Sequence, residues 1–190
     1  TQDRPIFAQK LMQICSDCQL IYSNANQDAT QQQSQAEAAL TNGANVLVLG
    51  ADLAGKAIQQ IVRQPGGKWS ARFAGVERTV EDGPELAALE KLIADHGYYP
   101  YRAEPGELEA MEAGGTLDEV FLRLMRERLT QWLEIADERL RPKGVPLYFM
   151  LGNDDPPELA ELLDSAPWGT NCEDKVLWID DDHEMISWGY

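Results

Sequence analysis

Asn45-Val46-Leu47-Val48-Leu49-Gly50 is an unbroken apolar run closed by glycine. Such a run suits a strand buried on both faces of a parallel sheet, because neither side of its pleat meets water. Pro146-Leu147-Tyr148-Phe149-Met150-Leu151 has the same character and is also followed by glycine, Gly152. On the amino-terminal side of the first run, Thr30–Leu40 is rich in alanine and glutamine and stops at Asn42-Gly43, which predicts a helix with a glycine C-terminus. Before it, Gln19–Ser23 (QLIYS) predicts a short strand and Pro5–Cys15 a helix, with Ile6, Phe7, Leu11 and Ile14 at helical spacing. Strand, helix and strand in succession make a βαβ unit.

On the carboxyl side, Ala51–Lys56 reads as a loop and Ala57–Arg63 as a helix. Lys68–Gly75 alternates in polarity and predicts a strand after the turn at Pro65-Gly66-Gly67. Pro84 opens a helix whose stripe is Leu86, Leu89, Leu92 and Ile93, stopping near Gly97. Tyr98–Tyr101 reads as an aromatic linker, and a short helix runs from Pro105 to Gly114-Gly115. Thr116 with Glu119 three residues on has the spacing of a capping box. The helix it opens runs to about Arg141, with Val120, Phe121, Leu124, Leu129, Trp132, Leu133 and Ile135 inward. After Pro146–Leu151 comes a short helix, Glu158–Asp164. Val176–Ile179 and Met185–Gly189 then predict a hairpin across the acidic turn Asp180–Glu184. The expected fold class is α/β: a mixed, largely parallel sheet flanked by helices, in one domain over residues 1–190, with a helical insertion at 84–141.

With 190 residues the chain suits one such domain, and its formal charge of −16 opposes binding to nucleic acid or an anionic membrane. No stretch reaches the roughly 18 apolar residues of a membrane span. Of the three cysteines, Cys15 and Cys18 share a C-x-x-C spacing that fits a redox pair, half a zinc site or two reduced thiols. The odd count favours reduced thiols and a reducing compartment, hence a cytoplasmic location.

Both apolar runs lead into loops that begin with glycine and then offer oxygen ligands: Gly50-Ala51-Asp52 and Gly152-Asn153-Asp154-Asp155. Sites in open α/β sheets form at the carboxyl ends of strands. Carboxylate and carboxamide oxygens suit hard divalent cations, and a pair of such ions clamps a phosphoester. The same residues also serve simpler ends: Asp52 as a helix cap and Asn153-Asp154 as a turn. His183 in its acidic turn reads as solvated, and His96 as a favourable cation at a helix C-terminus.

Asn45–Ala57 resembles the second block of the calcineurin-like metallophosphoesterases, a strand followed by glycine-aspartate. Tyr148–Asp155 resembles their third block, glycine-asparagine, and His183–Tyr190 the hairpin that follows it. The resemblance covers residues 45–190. It implies a metal-dependent phosphoester hydrolase with two divalent ions (Mn, Mg, Fe or Zn). Asp52 would bridge the ions, Asn153 would bind one, and Asp154 and Asp155 would assist catalysis on a small phosphoester. The family's aspartate-x-histidine block and its glycine-histidine-x-histidine block have no counterpart in the 190 residues. Asp154 stands where most members place histidine. These departures imply impaired activity and metal ions that are not firmly retained. Residues 1–50, through Asp3–Phe7, Ser23–Asp28 and Gln31–Val48, resemble instead the amino-terminal lobe of sugar-type periplasmic binding proteins for xylose and ribose. That implies an alternative function in sugar binding and an alternative periplasmic location. Together the two resemblances imply a chimera, natural or engineered, with an inactive scaffold as the third reading.

Overall fold

The computed structural model describes residues 3–26, 29–49, 57–152 and 154–187. The chain divides into two compact units, Thr1–Leu49 and Gly50–Tyr190, each described by itself.

The first unit contains α1 (Asp3–Ile14) and α2 (Ala29–Thr41). The glycine stop expected after α2 is formed. Ala44 N donates to Ala39 O at 3.0 Å and Gly43 N to Leu40 O at 3.0 Å, with Gly43 at φ 91°. This double bond over a left-handed glycine satisfies carbonyls that the helix end would leave open. The strands expected at 19–23 and 45–50 are not formed among the described residues. Residues 19–23 and 45–49 lack regular structure, and Val46 and Val48 are 78 % and 76 % exposed. Among the described residues, the βαβ unit expected there is therefore corrected to two helices with no strand before or after α2. An apolar run becomes a strand only where another strand takes its amides and carbonyls. None among the described residues of this unit does so.

The second unit is of the expected α/β class. Its main sheet has the order β3-β2-β1-β4, from β1 (Ile58–Arg63), β2 (Trp69–Phe73), β3 (Val76–Val80) and β4 (Tyr99–Ala103). The sheet is mixed as expected but not largely parallel: β1·β2 and β2·β3 are antiparallel and only β1·β4 is parallel, because the tight turns after β1 and β2 return the chain directly alongside itself. β1 replaces the helix expected over Ala57–Arg63. Its spacing of Ile58, Ile61 and Val62 is ambiguous between the two states, and five register pairs to β4 decide it. β4 replaces the aromatic linker, so segment 84–141 is not wholly outside the sheet: it supplies an edge strand. The hairpin β2–β3 turns through Ala74 and Gly75, at φ 52° and 78°. Two positive φ values give the turn whose twist matches the strands.

Helix α3 (Pro84–Asp95) follows β3 and carries the chain back to β4. Its Leu86, Leu89 and Ile93 pack on one face of the sheet with Ile61, Ala71 and Phe73. Helix α4 (Glu107–Gly114) and the long α5 (Leu117–Leu140) come next. Met125, Leu129 and Leu133 of α5 pack with Tyr99, Leu151, Leu159 and Leu163, and Ile58 joins them. Ile58 and Ile61 thus serve opposite faces of β1, as period-two geometry requires. Arg128 ties α5 to β4. Its guanidinium lies 3.9 Å from the Tyr99 ring centre and donates to the carbonyls of Gly97 (3.2 Å) and Tyr98 (2.6 Å). Burial lowers the pKa of Arg128 below the usual arginine value. The capping box at Thr116 is not formed: Thr116 makes no side-chain cap bond, and its Oγ1 lies 3.5 Å from Met111 O. Trp132 and Ile135, expected inward, are 40 % and 50 % exposed and line an open groove with Ala136, Arg139 and Leu140.

Beyond α5 the run Pro146–Leu151 contributes only two paired residues. They form β5 (Tyr148–Phe149), parallel to β6 (Thr170–Asn171), which the sequence did not announce. A short 3-10 turn and α6 (Ala160–Asp164) lie between them. Gly169, at φ 107°, precedes β6. A Cβ built there would sit 2.5 Å from Phe149 Cε1, so glycine is what lets β6 approach β5. The expected carboxyl-terminal hairpin is present as β7 (Lys175–Trp178) and β8 (Glu184–Ser187). Among the described residues no helix is long and apolar enough to cross a membrane.

Candidate metal site

The pairing of β5 with β6 fixes where the second glycine-led loop lies. Cys172 N donates to Phe149 O and Thr170 N to Leu147 O, both at 2.9 Å, the slanted pattern of parallel strands. Leu151 then enters the core at 7 % exposure, and Gly152 opens the loop just past the carboxyl end of β5. This is the strand end where α/β sheets place ligands. Glu173 and Asp174 follow β6 at the same end, and sequence reading had not singled them out because their strand is two residues long.

Within the loop, the Asp155 carboxylate turns back on its start. Its Oδ2 accepts from Gly152 N at 2.9 Å, while Asp155 N donates to Gly152 O at 3.1 Å. The other oxygen, Oδ1, is buried and has no hydrogen-bond partner among the described residues. Asp154 is exposed at the tip of the turn. Asp52 and Asn153, the expected metal ligands, lie outside the described residues. Of the four expected site residues, the structure therefore places Asp154 and Asp155, next to each other in one turn. Among the described residues no three His, Cys, Asp or Glu side chains converge as a metal-binding group.

Neither histidine is near a matching loop in sequence, and each is engaged locally. His96 follows α3 and its Nδ1 lies 2.8 Å from Leu92 O, with its ring edge-on to Phe73 at 5.4 Å. His183 is exposed in the β7–β8 turn, its Nδ1 facing the Asp180 oxygens at 2.7 and 2.9 Å. The amide of Asp182 donates to Asp180 at 2.9 Å. That bond first, and His183 second, hold the Asp180 carboxyl below its usual pKa. The cluster is a self-satisfied turn.

Cys15 and Cys18 depart from the reading as reduced thiols: they are joined in a disulfide, while Cys172 is a free, buried thiol. The C-x-x-C spacing was the signal for this. What outweighed it was an odd cysteine count, which does not constrain a pair three residues apart. No family model, no curated protein and no solved structure matches the chain.

Proposed function

We propose that the chain is a metal-dependent phosphoester hydrolase of low activity. Asp52 and Asn153 bind the metal, and Asp154 and Asp155 assist. The observation that carries this reading is the buried Asp155 Oδ1, unpartnered among the described residues, beside a glycine-led loop at the carboxyl end of a parallel strand. Leaving such an oxygen unsatisfied costs about 1–3 kcal/mol or more. A divalent cation is a partner that offsets the cost, and the adjoining Asn153 carboxamide supplies oxygen of the same hard character.

Bound metal supplies the chemistry of phosphoester hydrolysis by acidifying water and neutralising charge on the phosphoryl oxygens. Asp155, braced by the Gly152 amide, holds its free oxygen in a fixed direction. Asp154, exposed at the turn, is placed to exchange a proton with a leaving oxygen. The charge of −16 repels polyanions, so the substrate is a small phosphoester rather than a nucleic acid. Activity is low because the ligands are oxygens alone. Both histidines are engaged elsewhere, and oxygen donors hold transition metals less firmly than imidazole does. An ion held loosely positions its water poorly, and each tenfold loss of rate corresponds to about 1.4 kcal/mol of transition-state stabilisation.

The test is hydrolysis of a chromogenic phosphodiester with Mn²⁺, together with the melting temperature of the same samples. The account expects slow, Mn²⁺-dependent turnover and a Mn²⁺-dependent rise in melting temperature. Both should disappear in the Asp52→Ala, Asn153→Ala double variant. Turnover and metal-induced stabilisation that survive the double change would overturn the ligand assignment. Their absence from the parent chain would leave an inactive scaffold.

A further inference from the structure

Cys15 and Cys18 follow α1 directly, and their Cα atoms stand 5.4 Å apart across the disulfide. Both are half-exposed, and no residue of Thr1–Leu49 whose burial is described is buried, so the bond is not enclosed by a core. The remaining cysteine differs in every respect: Cys172 is 4 % exposed and its Sγ donates to Phe149 O at 3.1 Å. Around the disulfide the other restraints are few. Cys15 N donates to Leu11 O at 2.8 Å and extends the ladder of α1 by one residue. Cys18 N donates to Cys15 O at a longer 3.3 Å and closes the turn. Ser16 and Asp17 at its tip are exposed, and residues 19–25 beyond it form no helix or strand. The covalent bond is thus the main device that ends α1 and fixes the exit of the chain.

We propose that Cys15–Cys18 is a reversible thiol–disulfide site that exchanges with small thiols and their disulfides, and that its oxidation state sets the end of α1. This does not rest on the phosphoesterase reading. In the reducing direction a small thiolate attacks one cysteine sulfur. The S–S bond breaks, and the other cysteine leaves as thiolate and takes a proton. A second small thiolate attacks the mixed disulfide, releasing the small-molecule disulfide and the second cysteine, which is also protonated. Two thiols are oxidised, and one protein disulfide is reduced by two electrons. In the oxidising direction one cysteine thiolate attacks a small disulfide and releases one small thiol, and its partner three residues away then displaces the second small thiol as it closes the ring. Closure is intramolecular, which favours it over capture of a second small molecule. Exposure of the bond is what makes such a disulfide labile rather than inert.

The test uses the full chain. Native protein is equilibrated with dithiothreitol or with oxidised glutathione, alkylated with iodoacetamide and weighed peptide by peptide. The proposal expects no label at Cys15 and Cys18 after glutathione disulfide, a label on each after dithiothreitol, and return to the unlabelled state on reoxidation. Cys172 should stay unlabelled in the native chain throughout. Hydrogen exchange of amides 11–18 should accelerate about tenfold or more on reduction, with 58–103 unchanged. A Cys18→Ser chain should trap one glutathione at Cys15, because the resolving thiol is gone. A disulfide that resists dithiothreitol in the native chain would overturn the proposal, as would cysteines that stay alkylatable in oxidised glutathione or a Cys18→Ser chain that takes up no glutathione. Unchanged exchange at 11–18 would overturn the claim on α1.

Discussion

In Thr1–Leu49 none of the residues whose burial is described is buried. In Gly50–Tyr190, Ile61, Leu86, Ile93 and Leu159 are all fully enclosed. The two units do not differ in the apolar runs available to them. Val46–Leu49 is more continuously apolar than Ile58–Arg63, which carries Gln59, Gln60 and Arg63. What differs is the company each run keeps. Ile58–Arg63 has β2 on one side, β4 on the other and a helix on each face. Among the described residues of its unit, Val46–Leu49 has no strand beside it, and all four of its side chains are exposed. An apolar run becomes a strand only where a neighbouring strand takes its amides and carbonyls, and hydrophobicity without pairing leaves an extended, solvated chain.

That contrast is open to direct attack. The largest effect should come from truncating the enclosed side chains. Ile61→Ala or Leu86→Ala should cost about 2–5 kcal/mol, whereas Val48→Ala, at 76 % exposure, should stay within about 0.5 kcal/mol. Urea denaturation followed by far-UV circular dichroism reads both units, since α1 and α2 lie in the first, while tryptophan fluorescence reads the second through Trp69, Trp132, Trp168, Trp178 and Trp188. Equal costs at Ile61 and Val48 would erase the distinction.

A smaller effect of opposite sign is expected at the hairpin that defines the sheet's antiparallel half. Ala74 holds φ 52°, a conformation that asparagine tolerates and alanine resists. Ala74→Asn should therefore stabilise the second unit by about 1 kcal/mol in the same denaturation assay. A loss of stability would mean that the turn is not the one described.

The smallest effect concerns the acidic turn. Asp180 has a depressed folded-state pKa, so whatever it contributes is present above the ordinary carboxylate pKa and is lost as pH falls through the folded value. Because Asp180 is exposed, the change should stay local. Asp180→Asn should leave the urea midpoint unmoved at neutral pH, while the His183 ring resonances lose their response to acidification below pH 4 in NMR spectra. A midpoint shift would show that the turn supports the core.

The comparison also explains what the sequence could disclose. Elements whose signal is self-contained were legible: α3 with Pro84 and its leucine stripe, α5 with its long period, the β7–β8 hairpin and the glycine stop of α2. Elements that exist only through partners were not. β1 has too few apolar positions to separate strand from helix, β4 is made of Tyr99-Pro100-Tyr101-Arg102-Ala103, and β3 follows an Ala-Gly turn rather than the familiar Asn-Gly. The candidate site was legible as two glycine-led loops with oxygen side chains. The bracing of Asp155 by the Gly152 amide was not, because a three-residue return of a side chain onto a backbone amide leaves no periodic trace.

Hydrogen exchange of the intact chain, resolved to short peptides, tests the contrast most directly. The account predicts slow exchange over 58–63, 69–73 and 99–103, where each strand is paired, and exchange over 45–49 close to that of an unfolded chain. Protection at 45–49 comparable to that at 58–63 would contradict it, since that run would then have found strand partners after all.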